Sequence, residues 1–431
     1  MVFSEKFLYH IWDAQHLKDN LQTISYKSLK ILYPGRWNTD AGPDFKDAIL
    51  EIDGEVRRGD VEIELSTYNW QLHEHNENPA FNSVLLQVVF DHNGQYPYNF
   101  SENGEKIEIL SVSNQLDNDL QKLIKKFSGK TFKTEVKDCR ALFGKEDAAI
   151  LEKLNIQGKK RFEKKVKRFA AEHYFADFDQ LVYQGIFESL GYSKNKYQML
   201  QVALQLPFSK LKTFRAEGMS FDELISIYLI STGLSTHLPA SFPNELKIKW
   251  QEIYGRQQYV NEVIDTHWEL FRIRPANHPA IRLIQISRII YDSLETSLFN
   301  RIIKLFSFSQ QAFEVGAFRR NLYAFFQTAP EFLPEKYLLG KTRIDTILIN
   351  ILLPLASVYA REKNYSELEE TVQKIYSSAA GLPGNFITDF MDKHLSESQR
   401  KLVGKKAVLQ QGILKLYYDH CQYHDCENCL P

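Results

Sequence analysis

The chain has 431 residues, 44% hydrophobic and 25% charged, which suits a folded protein of two or three domains with a sizeable core. A net charge of −1 excludes a global basic field for nucleic acid, so any polyanion must be met by a local patch. Four cysteines in this length exclude a disulfide scaffold, and no apolar run approaches the ~18 residues of a membrane span, so a cytoplasmic protein without membrane contact is expected.

In chain order, Glu5 to Leu17 carries Phe7, Leu8, Ile11 and Trp12 at helical spacing. Short strand patterns follow. Ala48 to Ile52 runs into Asp53-Gly54, a hairpin signal, and Val61 to Leu65 alternates apolar and polar residues. Val84 to Phe90 is almost continuously apolar, as a central strand buried on both faces would be, and Ile107 to Val112 is another strand candidate. Near residue 140 the character changes. Helical spacing then marks 148–173, 178–190, 195–206, 221–231, 278–294, 347–363 and 366–377. The reading is a small mixed-sheet α/β domain at residues 1–138, followed by a large α-helical domain at residues 139–431.

The chemistry-bearing residues concentrate in the first domain. Asp44 opens the first strand of the hairpin, and Glu62 and Glu64 sit two apart on the second, on one face. Carboxylates brought together repel unless a cation lies between them, and Mg²⁺ or Mn²⁺ would suit such a set. Alternating acids are equally the wet face of an antiparallel strand. His73 and His75 share a face if the backbone there is extended, and could ligate a metal or move protons. They could also be loop imidazoles bonded to backbone and water around Trp70.

Farther on, Lys153 to Arg168 is the densest basic stretch. It could follow a phosphate backbone, though such runs are more often a solvated helix face. Arg272 to Arg282 is a second polar cluster, with Asn277 or His278 placed to cap a helix starting at Pro279, and its arginines are candidates for an anion or a brace. Cys421, Cys426 and Cys429 close the chain, and with Cys139 or His424 they have the donor count for a structural metal. Three reduced thiols on a tail are the plainer alternative.

Pro43-Asp44 and Glu62-Ile63-Glu64, with a helix before them, resemble the PD-(D/E)xK nuclease superfamily. The resemblance implies a restriction-endonuclease-like domain with Asp44, Glu62 and Glu64 as Mg²⁺ or Mn²⁺ ligands, Gln87 as a polar residue beside them and Glu5 as a further acid. Glu64 stands where that motif has lysine. Cys139 with the terminal triplet is similar to the clusters of iron–sulfur exonucleases, which implies Zn²⁺ or [4Fe–4S] at Cys139, Cys421, Cys426 and Cys429.

Pro34-Gly35-x-x-Asn38, Ala41-Gly42-Pro43-Asp44-Phe45, Gly59-Asp60-Val61-Glu62, Trp70-x-x-His73-x-His75, Arg274-Pro275-x-Asn277-x-Pro279 and the cysteine triplet together resemble a bacterial family of unknown function, number 2851. That family usually has histidine where this chain has Glu64 and Gln87. The expectation is a metal-dependent phosphodiesterase or nuclease using Asp44, Glu62, Glu64, His73, His75 and Gln87. The alternatives are an inactive nuclease-like scaffold that binds nucleic acid or protein, and hydrolysis of a small phosphorylated or acyl substrate.

Overall fold

An aspartate and a glycine between two alternating runs favour a tight turn with both residues at positive φ, and Asp53 (+54°) and Gly54 (+83°) form one. It joins β4 (Phe45–Ile52) to β5 (Glu55–Ser66), pairing Ile52 with Glu55. These strands lie within a computed structural model that describes residues 4–127, 146–239, 242–260, 263–264, 266–307, 314–423 and 429. The other strands are β1 (Leu21–Gln22), β2 (Ser28–Tyr33), β3 (Arg36–Trp37), β6 (Val84–Asp91), β7 (Tyr98–Phe100) and β8 (Lys106–Ser111).

Together they make one mixed sheet in the order β1-β2-β4-β5-β6-β8-β7, with β3 paired to β4. Strands β5, β6 and β8 are parallel, and the remaining pairs are antiparallel. The apolar run of β6 therefore lies between two parallel partners, where both faces are covered. Helix α1 (Glu5–Ala14) buries Phe7, Leu8, Ile11 and Trp12 in one core with Val61, Ile63, Leu86 and Val88. It stops at Gln15, which takes a left-handed conformation (φ +57°), so the helix ends short of Leu17. A second, smaller cluster joins Trp70 and Phe81 to Val84 and Ile107. Both buried indoles keep a hydrogen bond, Trp12 to the Pro34 carbonyl (2.9 Å) and Trp70 to the Phe100 carbonyl (3.0 Å).

The chain divides into two compact units, residues 1–174 with 385–400 and 411–431, and residues 175–384 with 401–410. In the first, helices α2 (Asn69–Leu72), α3 (Leu120–Phe127) and α4 (Asp147–Glu172) accompany the sheet. Among the described residues the named elements of the second are helices, with one isolated antiparallel bridge between Ala380 and Lys406. Its apolar stretch at 347–363, expected as one helix, changes hand-hold midway: Lys341–Ile347 is α-helical, Leu348–Leu352 a π-turn and Leu353–Glu362 α-helical again. Pro354 has no N–H to give and crowds the carbonyl four residues back, and a π-turn absorbs that mismatch. Among the described residues Glu335–Glu362 is long and apolar enough to cross a membrane, and 72% of its apolar window is buried inside the protein.

Gly59 is where β5 comes closest to the chain entering β6. A Cβ there would lie 2.6 Å from the Ser83 carbonyl oxygen and 2.4 Å from Leu85 Cγ. Gly59→Ala is expected to cost about 1–3 kcal/mol through this overlap, read as a lower urea midpoint. An unchanged midpoint would show that the strands separate freely here.

Candidate metal centre

Two irregularities in strand pairing bring the acids together. Between the pairs Phe45–Val61 and Ala48–Gly59, β4 holds one residue more than β5, and Asp47 takes a positive φ of +58°. Between Asp60–Val84 and Val61–Leu86, β6 holds one residue more than β5. Asp44 ends up beside Glu62. Its amide donates to Glu62 Oε2 (3.1 Å), and the Ile63 amide donates to Asp44 Oδ2 (2.9 Å). The loop leading in is shaped by Asn38, whose side chain donates to the carbonyls of Asp40, Ala41 and Pro43. Asp40 itself is exposed. Asp60 takes a structural role, holding Lys46 Nζ (3.0 Å), the Asp47 amide (2.9 Å) and Ser83 Oγ (2.6 Å).

The alternating acids of β5 are not a wet face. Glu62 is 8% exposed and Glu64 1%. Gln87, paired with Glu62 across the parallel ladder, donates through Nε2 to Glu64 Oε2. Gln87 Oε1 accepts from Asn99 Nδ2 (2.8 Å), and Asn99 Oδ1 accepts from Gln71 Nε2 (3.0 Å).

The histidine segment is not extended either. His73 caps the end of α2, Glu74 turns the chain at φ +58°, and His75 begins a 3₁₀ turn (His75–Glu77). Both imidazoles nevertheless reach Glu64, His73 Nδ1 at 3.0 Å and His75 Nε2 at 3.6 Å from Oε1. His75 Nε2 also lies 3.3 Å from Glu62 Oε1. Its ring stacks on Phe81 (centroids 3.9 Å) with its edge to Trp70, and both ring nitrogens are buried without a properly directed hydrogen bond. Nε2 is thus close to two carboxylates without a well-formed hydrogen bond to either. One donor atom each from Glu64, His73 and His75 lie within 4.8 Å of one another, a spacing that fits a metal ion.

Electrostatics follow from this crowding. Burial raises the Glu64 carboxyl from 4.5 to about 8, with Glu62, Glu5 and Asp44 adding to the rise and the Gln87 hydrogen bond opposing it. Burial, then the Glu62 charge, raises Asp44 from 3.8 to about 7, against the Ile63 amide and the Tyr9 hydroxyl, which favour the anion. Tyr9 is held far above its ordinary value by burial and by Asp44. Tyr9 and Asn99 are site residues that sequence reasoning passed over. Tyr9 stands one helical turn after Glu5, a spacing that could have flagged it.

Other candidates fall elsewhere. Within α4, Arg161 and Lys165 both bond Gln411 Oε1, and Arg168 bonds Glu172, so much of the basic run is engaged inside its own unit. Cys421 opens a 3₁₀ turn and Cys429 is buried, while Cys139, His424 and Cys426 lie outside the described residues.

Because Glu64 holds its proton to higher pH when folded than when unfolded, the unfolded chain releases that proton first as pH rises. Its penalty is absent below about pH 4 and grows towards pH 8. Metal-free Glu64→Gln should therefore gain on the wild type with rising pH, reaching about 2–4 kcal/mol near pH 8. Paired urea titrations across this range check it, and a pH-independent difference would mean that Glu64 is not held neutral.

No curated protein and no solved structure matches the chain. A family model does match residues 5–381, most of its length. The chain belongs to that family, described as a protein of unknown function (DUF2851).

Proposed function

We propose that this protein is a metal-dependent phosphodiester hydrolase, a nuclease in the first instance. Glu64, His73 and His75 would hold the ion, with Asp44 and Glu62 beside it. The observation that carries this reading is the convergence of two imidazoles on a buried carboxylate, with His75 left without a directed hydrogen bond. Buried polar atoms are nearly always satisfied, and a cation between His75, Glu62 and Glu64 would satisfy three groups at once. Two nitrogen donors favour Mn²⁺, Fe²⁺ or Zn²⁺ over Mg²⁺. The order of elements supports the same reading: a helix bearing Glu5, then Asp44 at a strand start, then two acids on the next strand, as in the PD-(D/E)xK nucleases.

An ion held there would supply a polarised water and offset charge on a phosphate. The protein's own groups divide the remaining work. Tyr9 and the Ile63 amide orient Asp44, which is placed to accept a proton. His73, 44% exposed at its side chain, would hold the ion from the solvent side, where water and substrate reach it. Gln87 and Asn99 keep Glu64 in place. The lysine of the nuclease motif is replaced by Glu64, so charge developing on a substrate must be met by the ion or by an imidazole. That replacement is also what favours the second reading, a protein that binds nucleic acid without cutting it.

Chelator-stripped protein should take up one equivalent of Mn²⁺ or Zn²⁺, with affinity reduced about a hundredfold in His75→Ala. With Mn²⁺ it should cut single- or double-stranded DNA or RNA, and Asp44→Ala should slow this by roughly 10²–10⁴-fold. Absence of metal uptake ends the proposal. Uptake with no cleavage leaves only the binding reading, and cleavage indifferent to Asp44→Ala overturns the role given to Asp44.

A further inference from the structure

The second unit contains a charge arrangement that its fold does not explain. Arg282, on the helix Pro279–Leu294, is 1% exposed. Its Nη1 donates to the Tyr337 carbonyl (3.1 Å), while Nε is buried with no partner. Arg343, on the helix Lys341–Ile347, lies over the Tyr192 ring at 3.7 Å and donates to the Ser189 carbonyl (3.3 Å). Burial makes both guanidiniums easier to deprotonate than usual, and the Tyr192 hydroxyl acts on both. Arg343 adds to the effect on Arg282, so each guanidinium feels the other's positive charge.

No carboxylate among the described residues pairs with either. Elsewhere in the same unit arginines do meet acids: Arg215 with Glu295, Arg288 with Asp292, Arg319 with Asp345 and Arg361 with Glu369. Two like charges drawn out of water without a counter-ion are costly, and proteins normally supply one. Backbone carbonyls take some donors but carry no full charge.

We propose that Arg282, Arg343 and Tyr192 form a binding site for a phosphate group. A phosphate carries nearly two negative charges near neutral pH and so balances both guanidiniums, whereas one carboxylate would leave a positive charge behind. In such a site Arg282 would be the floor, and Arg343 and Tyr192, which are only partly buried, would stand at the solvent side as the mouth. Tyr192 is held at φ +55° just past the helix Phe178–Leu190, which turns its side chain back towards Arg343. The segment Arg274 to Pro279 gains a role as well. Its turn Pro275–Asn277 packs on the turn Glu335–Tyr337, whose last carbonyl receives Arg282, and His278 caps the helix on which Arg282 rides.

The test is calorimetric titration of the full chain, stripped of metal and dialysed free of phosphate. The titrants are inorganic phosphate, adenosine monophosphate, adenosine and acetate. One equivalent of inorganic phosphate or of the monophosphate should bind, with adenosine and acetate silent. Tighter binding of the nucleotide would assign a nucleotide or nucleic-acid end as the source, and equal binding would assign free phosphate. Arg343→Gln and Tyr192→Phe lie at the mouth and should fold, and Arg343→Gln should weaken binding about tenfold or more. His75→Ala should bind as the wild type does, which separates this site from the metal centre. Failure of both phosphates to bind in the millimolar range, or unchanged affinity in both mouth variants, overturns the proposal. Should Arg282→Gln not fold, those two variants still decide it.

Discussion

A carboxylate in the middle of a sheet must be kept neutral, bonded or neutralised, and the surroundings of Glu64 follow from that constraint. It sits on the central strand of the mixed sheet, almost wholly out of water. Desolvation alone would keep it protonated. Everything around it answers that demand: an amide from the next strand, an imidazole from the chain end of α2, a second imidazole pressed between Phe81 and Trp70. An isolated acid at this depth would destabilise the sheet. Here the cost has been distributed among groups whose own geometry makes sense only around Glu64.

The two register shifts explain how an ordinary sheet hosts this cluster. Side chains along a strand alternate faces, so a strand paired without interruption fixes every side chain by its position alone. An extra residue in β4 and another in β6, each opposite β5, re-aim the residues that follow. Asp44 thereby meets Glu62 through its own backbone, and Gln87 comes alongside Glu62 within reach of Glu64. The apolar residues of the same strands, Val61, Ile63, Leu86 and Val88, remain in the core beneath α1.

How much of this was legible in the sequence depended on whether the signal was local. Asp53-Gly54 needs only its own two residues to specify a turn, and alternation in Ala48–Ile52 and Val61–Leu65 marks parts of β4 and β5 on either side of it. The helix Pro279–Leu294 was readable for the same reason: Pro279 suits a first turn and His278 caps it. The helices Asn244–Arg256 and Val315–Gln327 have weaker local signals: neither has a side-chain cap, and Trp250 is the buried residue of the first. The acids of β5 could be located but not their burial, because alternation is the same whether a strand is covered by water or by the chain segment bearing Trp70. The convergence of His73 and His75 depends on one residue, Glu74, in a left-handed conformation that composition does not announce. The paired arginines of the second unit come from helices sixty residues apart, and only folding puts their charges together.

The side-chain amides running away from Glu64 have a direction. Gln71 donates to Asn99, Asn99 to Gln87 and Gln87 to Glu64, so every N–H in the series points towards the carboxylate. Such a row is polarised, and its sense is set by the single acceptor at its end. An imidazole at position 64 that presented an N–H instead would force each amide behind it to turn over. The side chain at position 64 therefore sets the sense of the whole row: while it offers an acceptor the amides of Gln87, Asn99 and Gln71 keep their direction, and once it offers only a donor all three must reverse.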